Sequence, residues 1–150
     1  MKYLDIRALA EKYHVLLIYL FGSQADTGKR YLEGKNMMPD ATSDLDVAIV
    51  LHSPPTDAIK TYGILYREFS ELFDLFAIDL ILMHEANPIF QYEIIKGVRV
   101  YESDESYADD FEENIMKRVE DLSYKKKILN NEIMEAIEDG YFEFEYRPNP

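Results

Sequence analysis

Three aspartates are the residues in this sequence best suited to do chemistry. Asp44 and Asp46 open an apolar run, and residues two apart in a strand share a face, so their carboxylates would lie side by side, roughly 7 Å apart at Cα. Asp79 lies inside another apolar run, where an ionised carboxylate needs a cation, a basic partner or solvent. A solvated turn or an edge strand would explain any one acid alone. If the two runs are neighbouring strands of one sheet, the three acids favour a shared site.

Clustered carboxylates are typical ligands of hard divalent cations. Mg²⁺ binds through a few carboxylates together with substrate phosphates, and two such ions ~4 Å apart can hold both oxygens of an in-line phosphoryl displacement. Gly22 and Ser23, which follow a further apolar run, could supply the phosphate contacts through a closely approaching backbone and a hydroxyl. The same pair is also a common turn. With the acids, it predicts a metal-dependent phosphate site.

The elements that must position these residues are short strands interleaved with helices. Strands are predicted at 15–21, 45–52 and 76–84, with a fourth at the sheet edge over 98–102. Helices are predicted over 3–13, from Thr56 or Asp57 to about Phe73, from Asn87-Pro88 to Gly97, and over 105–139. This order predicts an α/β or α+β domain.

The C-terminal helical segment, about 105–139, is too long for a compact domain of this size. At ~1.5 Å per residue it would span roughly 50 Å. It either breaks near Lys125–Lys127 or projects an apolar stripe through Leu129, Ile133 and Ile137 that would bind a partner. The aromatic and acidic stretch 141–146 is predicted to be a final strand or a partner-binding tail.

Composition sets further bounds. The 150 residues, 47% hydrophobic, suit a single domain with a core of about 1–104. The chain has no cysteine, which excludes disulfides and thiolate metal sites, and its three histidines lack zinc-ligand spacing. Neither a bilayer-spanning run nor a signal peptide is visible, so we expect a cytoplasmic protein with no membrane contact.

The charge balance restricts the partners. Lys and Arg number 16 against 29 Asp and Glu, a formal net charge of −13. Phosphate backbones are normally met by basic surfaces, so direct nucleic-acid binding is not expected. The acidic charge suits recruited cations or a basic protein partner.

A Gly-Ser pair after a strand, an Asp-Leu-Asp opening the next strand and a lone Asp in a later strand occur together in a known group of enzymes. In this order Gly22-Ser23, Asp44-Leu45-Asp46 and Asp79 resemble the polymerase β-like nucleotidyltransferase superfamily. The downstream stretch IDLILMHEANPIFQYEIIKGVRVYES is similar to the minimal nucleotidyltransferase (MNT) proteins. The resemblance covers about residues 15–139. It implies an α+β fold, a mixed β-sheet flanked by helices, with a long C-terminal helical segment.

The resemblance also implies a reaction. Asp44 and Asp46 would ligate Mg²⁺, with two ions expected, and Asp79 would contact the catalytic metal and assist deprotonation of the acceptor. Gly22 and Ser23 would hold the triphosphate of ATP. A hydroxyl would attack the α-phosphate and release pyrophosphate.

The partner follows from the same resemblance. Small MNT proteins are antitoxins of separate HEPN-domain ribonuclease toxins, which they neutralise by transferring AMP to a tyrosine. Two alternatives remain open at this level: an antitoxin that blocks its toxin by binding alone, and an adenylyltransferase acting on a small molecule.

One departure concerns the segment between Ser23 and Asp44. It has twenty residues, 24–43, where the family has about ten. We interpret its middle, around residues 29–38, as a disordered loop, a lid or a partner contact. Lys29, Arg30 and Lys35 within it could contact phosphates or RNA, or be solvated surface charges.

Overall fold

The computed structural model describes residues 2–138, and the predicted final strand or tail at 141–146 lies outside them. In chain order the elements are α1 (Tyr3–Lys12), β1 (Val15–Phe21), α2 (Ala25–Leu32), β2 (Leu45–Leu51), α3 (Ala58–Leu72), β3 (Ile78–Leu82), α4 (Pro88–Ile95), β4 (Val98–Glu102) and α5 (Glu105–Glu138). Within residues 2–138, every predicted strand and helix is present. The third strand is shorter than predicted at both ends: it begins at Ile78, and Met83–Glu85 form a 3₁₀ turn after it.

Two predicted helix starts are confirmed by their caps. Asp57 Oδ1 accepts a hydrogen bond from the Lys60 N–H at 3.1 Å, and Asn87 Oδ1 accepts one from the Phe90 N–H at 2.8 Å. Each side chain satisfies an N–H group that has no partner within its helix. These caps fix where α3 and α4 leave the sheet.

The four strands form one mixed sheet in the order β3-β2-β1-β4. Strand β1 is antiparallel to β2 and to β4, whereas β2 and β3 are parallel. The α+β class, the mixed sheet and the edge position of β4 were predicted and are confirmed. Because β1 runs opposite to β2 and β3, its C-terminal end meets their N-terminal ends. They meet at one edge of the sheet, the edge that is formed by strand ends and not by an outer strand.

Helices cover both faces of this sheet. Alternate strand residues on one face, including Leu20, Val47 and Leu80, pack in a buried cluster with residues of α1, α2 and α3. The other face, with Tyr19 and Ala48, packs against α4 and the first part of α5. Burial on both faces explains why the strands read as continuous apolar runs.

The segment 24–43 begins with a helix, so interpreting it as a loop was wrong for its first half. Helix α2 packs tightly on the sheet, because a Cβ at Gly28 would lie 2.8 Å from Leu45 Cδ1, and Leu32 is fully buried. The helix ends where Gly34 adopts φ 73° and the Lys35 N–H donates to the Arg30 carbonyl at 3.0 Å.

Helix α5 is continuous, with no break at Lys125–Lys127, so it projects from the fold. Within the helix only Ala108 and Ile115 are buried, and every residue from 120 to 135 is exposed. Its base is held by Arg99 of β4, which pairs with Glu112 at 2.6 Å. No helix within residues 2–138 is both long and apolar enough to cross a membrane.

Candidate active site

The strand register brings two of the predicted acids together. Asp46 pairs with Asp79 across the parallel strands β2 and β3, and with Phe21 across the antiparallel strands β2 and β1. Neighbouring strands are ~4.8 Å apart, so the two carboxylates start from adjacent backbone positions. Asp44 lies one residue before β2 and two positions from Asp46, so it continues the face of the strand on which Asp46 lies. The acids therefore gather at the edge of the sheet where β1 ends.

Gly22 lies directly against the Asp46 side chain. Its φ is +75°, a conformation that residues with a Cβ rarely adopt, and a Cβ built there would overlap Asp46 Oδ2. The backbone conformation therefore favours glycine here, and any Cβ would also force the Asp46 carboxylate to move aside. The Ser23 hydroxyl beside it is exposed and lies 3.5 Å from Ser43 Oγ. The structure thus brings the predicted phosphate-binding pair to the edge occupied by the acids.

Gln24, which sequence reasoning missed, ties the chain preceding Asp44 to this edge. It is 3% exposed, its Nε2 donates to the Ser43 carbonyl at 2.5 Å, and its Oε1 accepts from the Asp40 N–H at 2.8 Å. Asp40 in turn accepts from the Thr42 N–H at 2.9 Å. These bonds form a compact turn that sets where β2 begins. A polar residue after Gly-Ser carries no signal of such a role in the sequence.

The site concentrates negative charge. Burial, followed by the charges of Asp79 and Asp44, raises the pKa of Asp46. Asp44 and Asp79 are themselves exposed. The half-buried Asp46 is therefore the acid that gains most from a nearby cation.

A pair of tyrosines borders Asp79 and was also missed. The Tyr62 hydroxyl of α3 donates to the Leu80 carbonyl at 2.8 Å, and its ring stacks on Tyr66 at 6.3 Å between centroids. Burial, and then the Asp79 charge, raise the pKa of Tyr62. Their positions on a helix made packing the ordinary interpretation, but both residues are partly exposed, and Tyr62 feels the charge of Asp79.

The donor set fits Mg²⁺ in its chemistry but is not a complete cage. Within residues 2–138, no three His, Cys, Asp or Glu side chains are placed to hold a metal by themselves. Mg²⁺ commonly uses one or two carboxylates and completes its shell with water and substrate phosphate oxygens. Asp46 and Asp79 on adjacent strands match that requirement, with Asp44 as the nearest further carboxylate.

The basic residues of the segment 24–43 have local partners. Lys29 and Lys35 both pair with Glu33, at 4.0 and 2.5 Å, and Arg30 donates to the Asn36 carbonyl at 3.0 and 3.2 Å. These contacts favour the interpretation as surface charge. Contact of these three residues with phosphates or RNA stays a prediction.

A pocket of about 410 Å³ opens on the other side of Gly22, between the start of α2 and the end of α4. Its lining includes Phe21, Asp26, Glu93 and Lys96. Gly97 also lines the pocket. It lies so close to β1 that a Cβ there would clash with the Leu20 carbonyl oxygen. The volume is in the usual range for small-molecule sites.

Comparison with known proteins identifies the family of this fold. The sequence profile of the family described as Polymerase beta, Nucleotidyltransferase matches residues 5–106, which contain all five candidate site residues. Among curated proteins, none matches this chain significantly.

Solved structures share the fold at low sequence identity. One is a toxin–antitoxin complex with AMP-PNP, at 17% identity and a TM-score of 0.63 over 89% of this chain and 99% of that chain. Another is a tri-AMPylated HEPN toxin from Shewanella oneidensis in complex with MNT antitoxin. Its matching chain has 16% identity and a TM-score of 0.59, over 89% of this chain and 96% of that chain. The family profile covers about two thirds of the sequence, so the chain belongs to the polymerase beta nucleotidyltransferase family.

Proposed function

We propose that this protein transfers AMP from ATP to a hydroxyl group, expected on a tyrosine, of a cognate HEPN ribonuclease toxin. It would thereby act as a cytoplasmic antitoxin. The observation that carries the proposal is the pairing of Asp46 with Asp79 beside Gly22. Family membership supports nucleotidyl transfer, and the neighbours that contain AMP-PNP and an AMPylated toxin support the donor and the acceptor class.

Each site residue has a proposed role. Asp44, Asp46 and Asp79 would hold Mg²⁺, expected as two ions, which when bound offsets the charge of the phosphates and of the leaving pyrophosphate. The Gly22 backbone and the Ser23 hydroxyl would donate hydrogen bonds to triphosphate oxygens. Asp79, exposed at the open edge, would accept the proton of the attacking hydroxyl. A bond forms between that oxygen and the α-phosphorus, and the bond from the α-phosphorus to pyrophosphate breaks.

The electrostatics of the free protein suit this role. Burial and the neighbouring charges of Asp79 and Asp44 disfavour the ionised form of Asp46, which raises its pKa. A divalent cation at the acids would reverse that effect and keep the carboxylate charged. The net charge of −13 also suits a partner whose surface is basic enough to bind RNA.

The test is transfer of label from α-³²P-ATP, with Mg²⁺, to the toxin that co-purifies with the protein. We expect label on a toxin tyrosine with the wild type and with Glu71→Gln, an exposed acid on α3, and none with Asp79→Asn. Label transferred equally by Asp79→Asn would overturn the assigned site. Neutralisation of the toxin by Asp79→Asn as effective as by the wild type, with no label on any protein, would overturn the proposal in favour of binding alone.

A further inference from the structure

The projecting half of α5 carries an apolar seam with coiled-coil spacing. Starting from the buried Ile115, the seam residues are separated alternately by four and three positions: Ile115, Val119, Leu122, Lys126, Leu129, Ile133 and Ala136. This is the a/d pattern of three heptads. Leu122, Leu129 and Ile133 are 44%, 56% and 44% exposed, so no part of the described fold covers them.

We propose that this seam pairs with the same seam of a second copy of the chain, as an antiparallel two-stranded coiled coil. In antiparallel pairs an a residue lies opposite a d residue. The register that satisfies this rule sets Lys126 opposite Leu129 of the other copy, Leu122 opposite Ile133, and Val119 opposite Ala136. Each contact occurs twice, which gives six layers.

Charge complementarity selects this register and direction. It places Lys125 of each copy beside Glu132 of the other, so that two ion pairs flank the seam. A parallel arrangement would instead set Lys126 against the same lysine of the second copy, a repulsive layer. It would also leave Lys125 facing Asn130. The charges therefore favour antiparallel pairing.

The opposite flank of the seam agrees with the same register. There Met116 would lie beside Ile137 of the second copy, and Ser123 beside Asn130, so that apolar residues meet apolar ones and polar residues meet polar ones. Such agreement on both flanks is what a helix built to pair with itself would show. A helix of the toxin could also cover this seam, but it would not require α5 to be complementary to itself.

The available length of helix matches the proposal. The register uses residues 117–138, about 33 Å of helix, and Ile115 is the last buried residue before that stretch. The tip of one helix, at Glu138, would then reach Lys117 of the other, where α5 leaves the body. The two bodies would lie at opposite ends of the paired helices.

Lys126 is the one charged residue in the seam. Its methylene stem can pack beside Leu129 of the second copy while its ammonium group reaches solvent. A single polar residue in such a seam weakens association but helps to fix register and partner number. We therefore expect a reversible dimer with a defined direction.

The first test is the association state of the full-length protein by sedimentation equilibrium across a wide range of concentrations. The wild type should form dimers, and Lys125→Glu and Glu132→Lys should each weaken dimerisation by about tenfold or more, because each creates two like-charge contacts. An equimolar mixture of the two variants should dimerise again, because both contacts in a mixed pair become attractive. Ile128→Glu, off the seam, is the matched control and should dimerise like the wild type.

A wild type that stays monomeric, or a mixture that fails to associate, would overturn the proposal. The direction of pairing is tested by cysteine cross-linking, which is clean because the chain has no cysteine. Leu122→Cys and Ile133→Cys chains should cross-link with each other when mixed, and neither should cross-link with itself. Self-cross-linking of Leu122→Cys would indicate a parallel pair, which overturns the assigned direction. These readouts use no nucleotide, so they are independent of the proposed transfer reaction.

Discussion

The acidic edge of the sheet and the projecting half of α5 are both surfaces without a partner within the described fold, but their chemistry is opposite. The first consists of carboxylates that repel one another, and the second of apolar side chains exposed to solvent. At the sheet edge, Asp46 is half-buried beside Asp79 and Asp44, and the repulsion contributes to its raised pKa. On α5, an apolar seam centred near Leu129 extends into solvent. The first surface is suited to cations and phosphates, and the second to an apolar helix.

The two regions also differ in how they are built. The acidic edge depends on three strands, the Gly22 turn and the hydrogen bonds of Gln24. A change in any of these elements would therefore move the acidic side chains apart. The seam depends only on a continuous helix. Substitutions should therefore affect both chemistry and stability at the edge, and association alone at the seam.

The largest effect is expected from neutralising the paired acids. Asp46→Asn and Asp79→Asn should each lower the rate of AMP transfer by about 10³-fold or more, because in the proposed mechanism these carboxylates would hold the Mg²⁺ that stabilises the transition state. Initial rates of label transfer measure this, with Glu71→Gln as the control acid. A loss of transfer rate smaller than tenfold in both variants would contradict a catalytic role for these two acids.

The next effect concerns stability at Gly22. Gly22→Ala places a Cβ on Asp46 Oδ2 in a backbone with φ +75°, so the free energy of unfolding should fall by about 2 kcal/mol. Chemical denaturation measures it. The matched control is Gly63→Ala on α3, where a Cβ meets nothing within 4 Å and should stabilise by about 0.5–1 kcal/mol. Equal effects at both glycines would contradict the strain assigned to a side chain at Gly22.

A smaller effect is expected at Gln24. Gln24→Ala removes two hydrogen bonds that hold the turn before Asp44, and should lower stability by about 1–2 kcal/mol. Hydrogen exchange should show faster exchange of the Asp40 amide. Thr42→Ala, which removes only a contact within the turn, should leave that amide protected. If the Asp40 amide exchanged at the same rate in Gln24→Ala as in the wild type, the turn would be stable without Gln24, which would contradict the role assigned to this residue.

The smallest effect is a pH dependence of stability without metal. The raised pKa of Asp46 means that the folded state binds its proton more tightly than the unfolded state, so this acid's contribution to stability is lost as pH rises through that pKa. Asp46→Asn should remove this loss, so its free energy of unfolding, measured by chemical denaturation, should exceed that of the wild type at neutral pH. Mg²⁺ should narrow the difference in free energy of unfolding by stabilising the wild type. A variant less stable than the wild type at neutral pH would contradict the burial and repulsion that raise the pKa of Asp46.

Features set by local spacing were predictable, and features set by pairing between distant segments were not. The strands, the caps at Asp57 and Asn87 and the long helix follow from periodicity and turn chemistry, and the resemblance added the mixed sheet. The register that aligns Asp46 with Asp79 depends on tertiary packing. So does α2, whose sequence, with Gly28 at its centre, is a weak helix former until the sheet buries Leu32.

Gln24 and Tyr62 show the same limit within the site. Each acts through a partner distant in sequence, the turn at residues 40–43 for Gln24 and the β3 backbone for Tyr62. Neither residue type predicts such a contact from its neighbours. The α5 seam is the opposite case, because its spacing is visible in the sequence and only its exposure required the structure.

The role of the acids is tested most sharply by a crystal structure with Mn²⁺ and a non-hydrolysable ATP analogue, with anomalous scattering used to locate the metal. We expect an anomalous peak in contact with the carboxylates of Asp46 and Asp79, and the triphosphate against Gly22 and Ser23. A triphosphate bound elsewhere, or Asp79 turned away from every metal peak, would contradict this role.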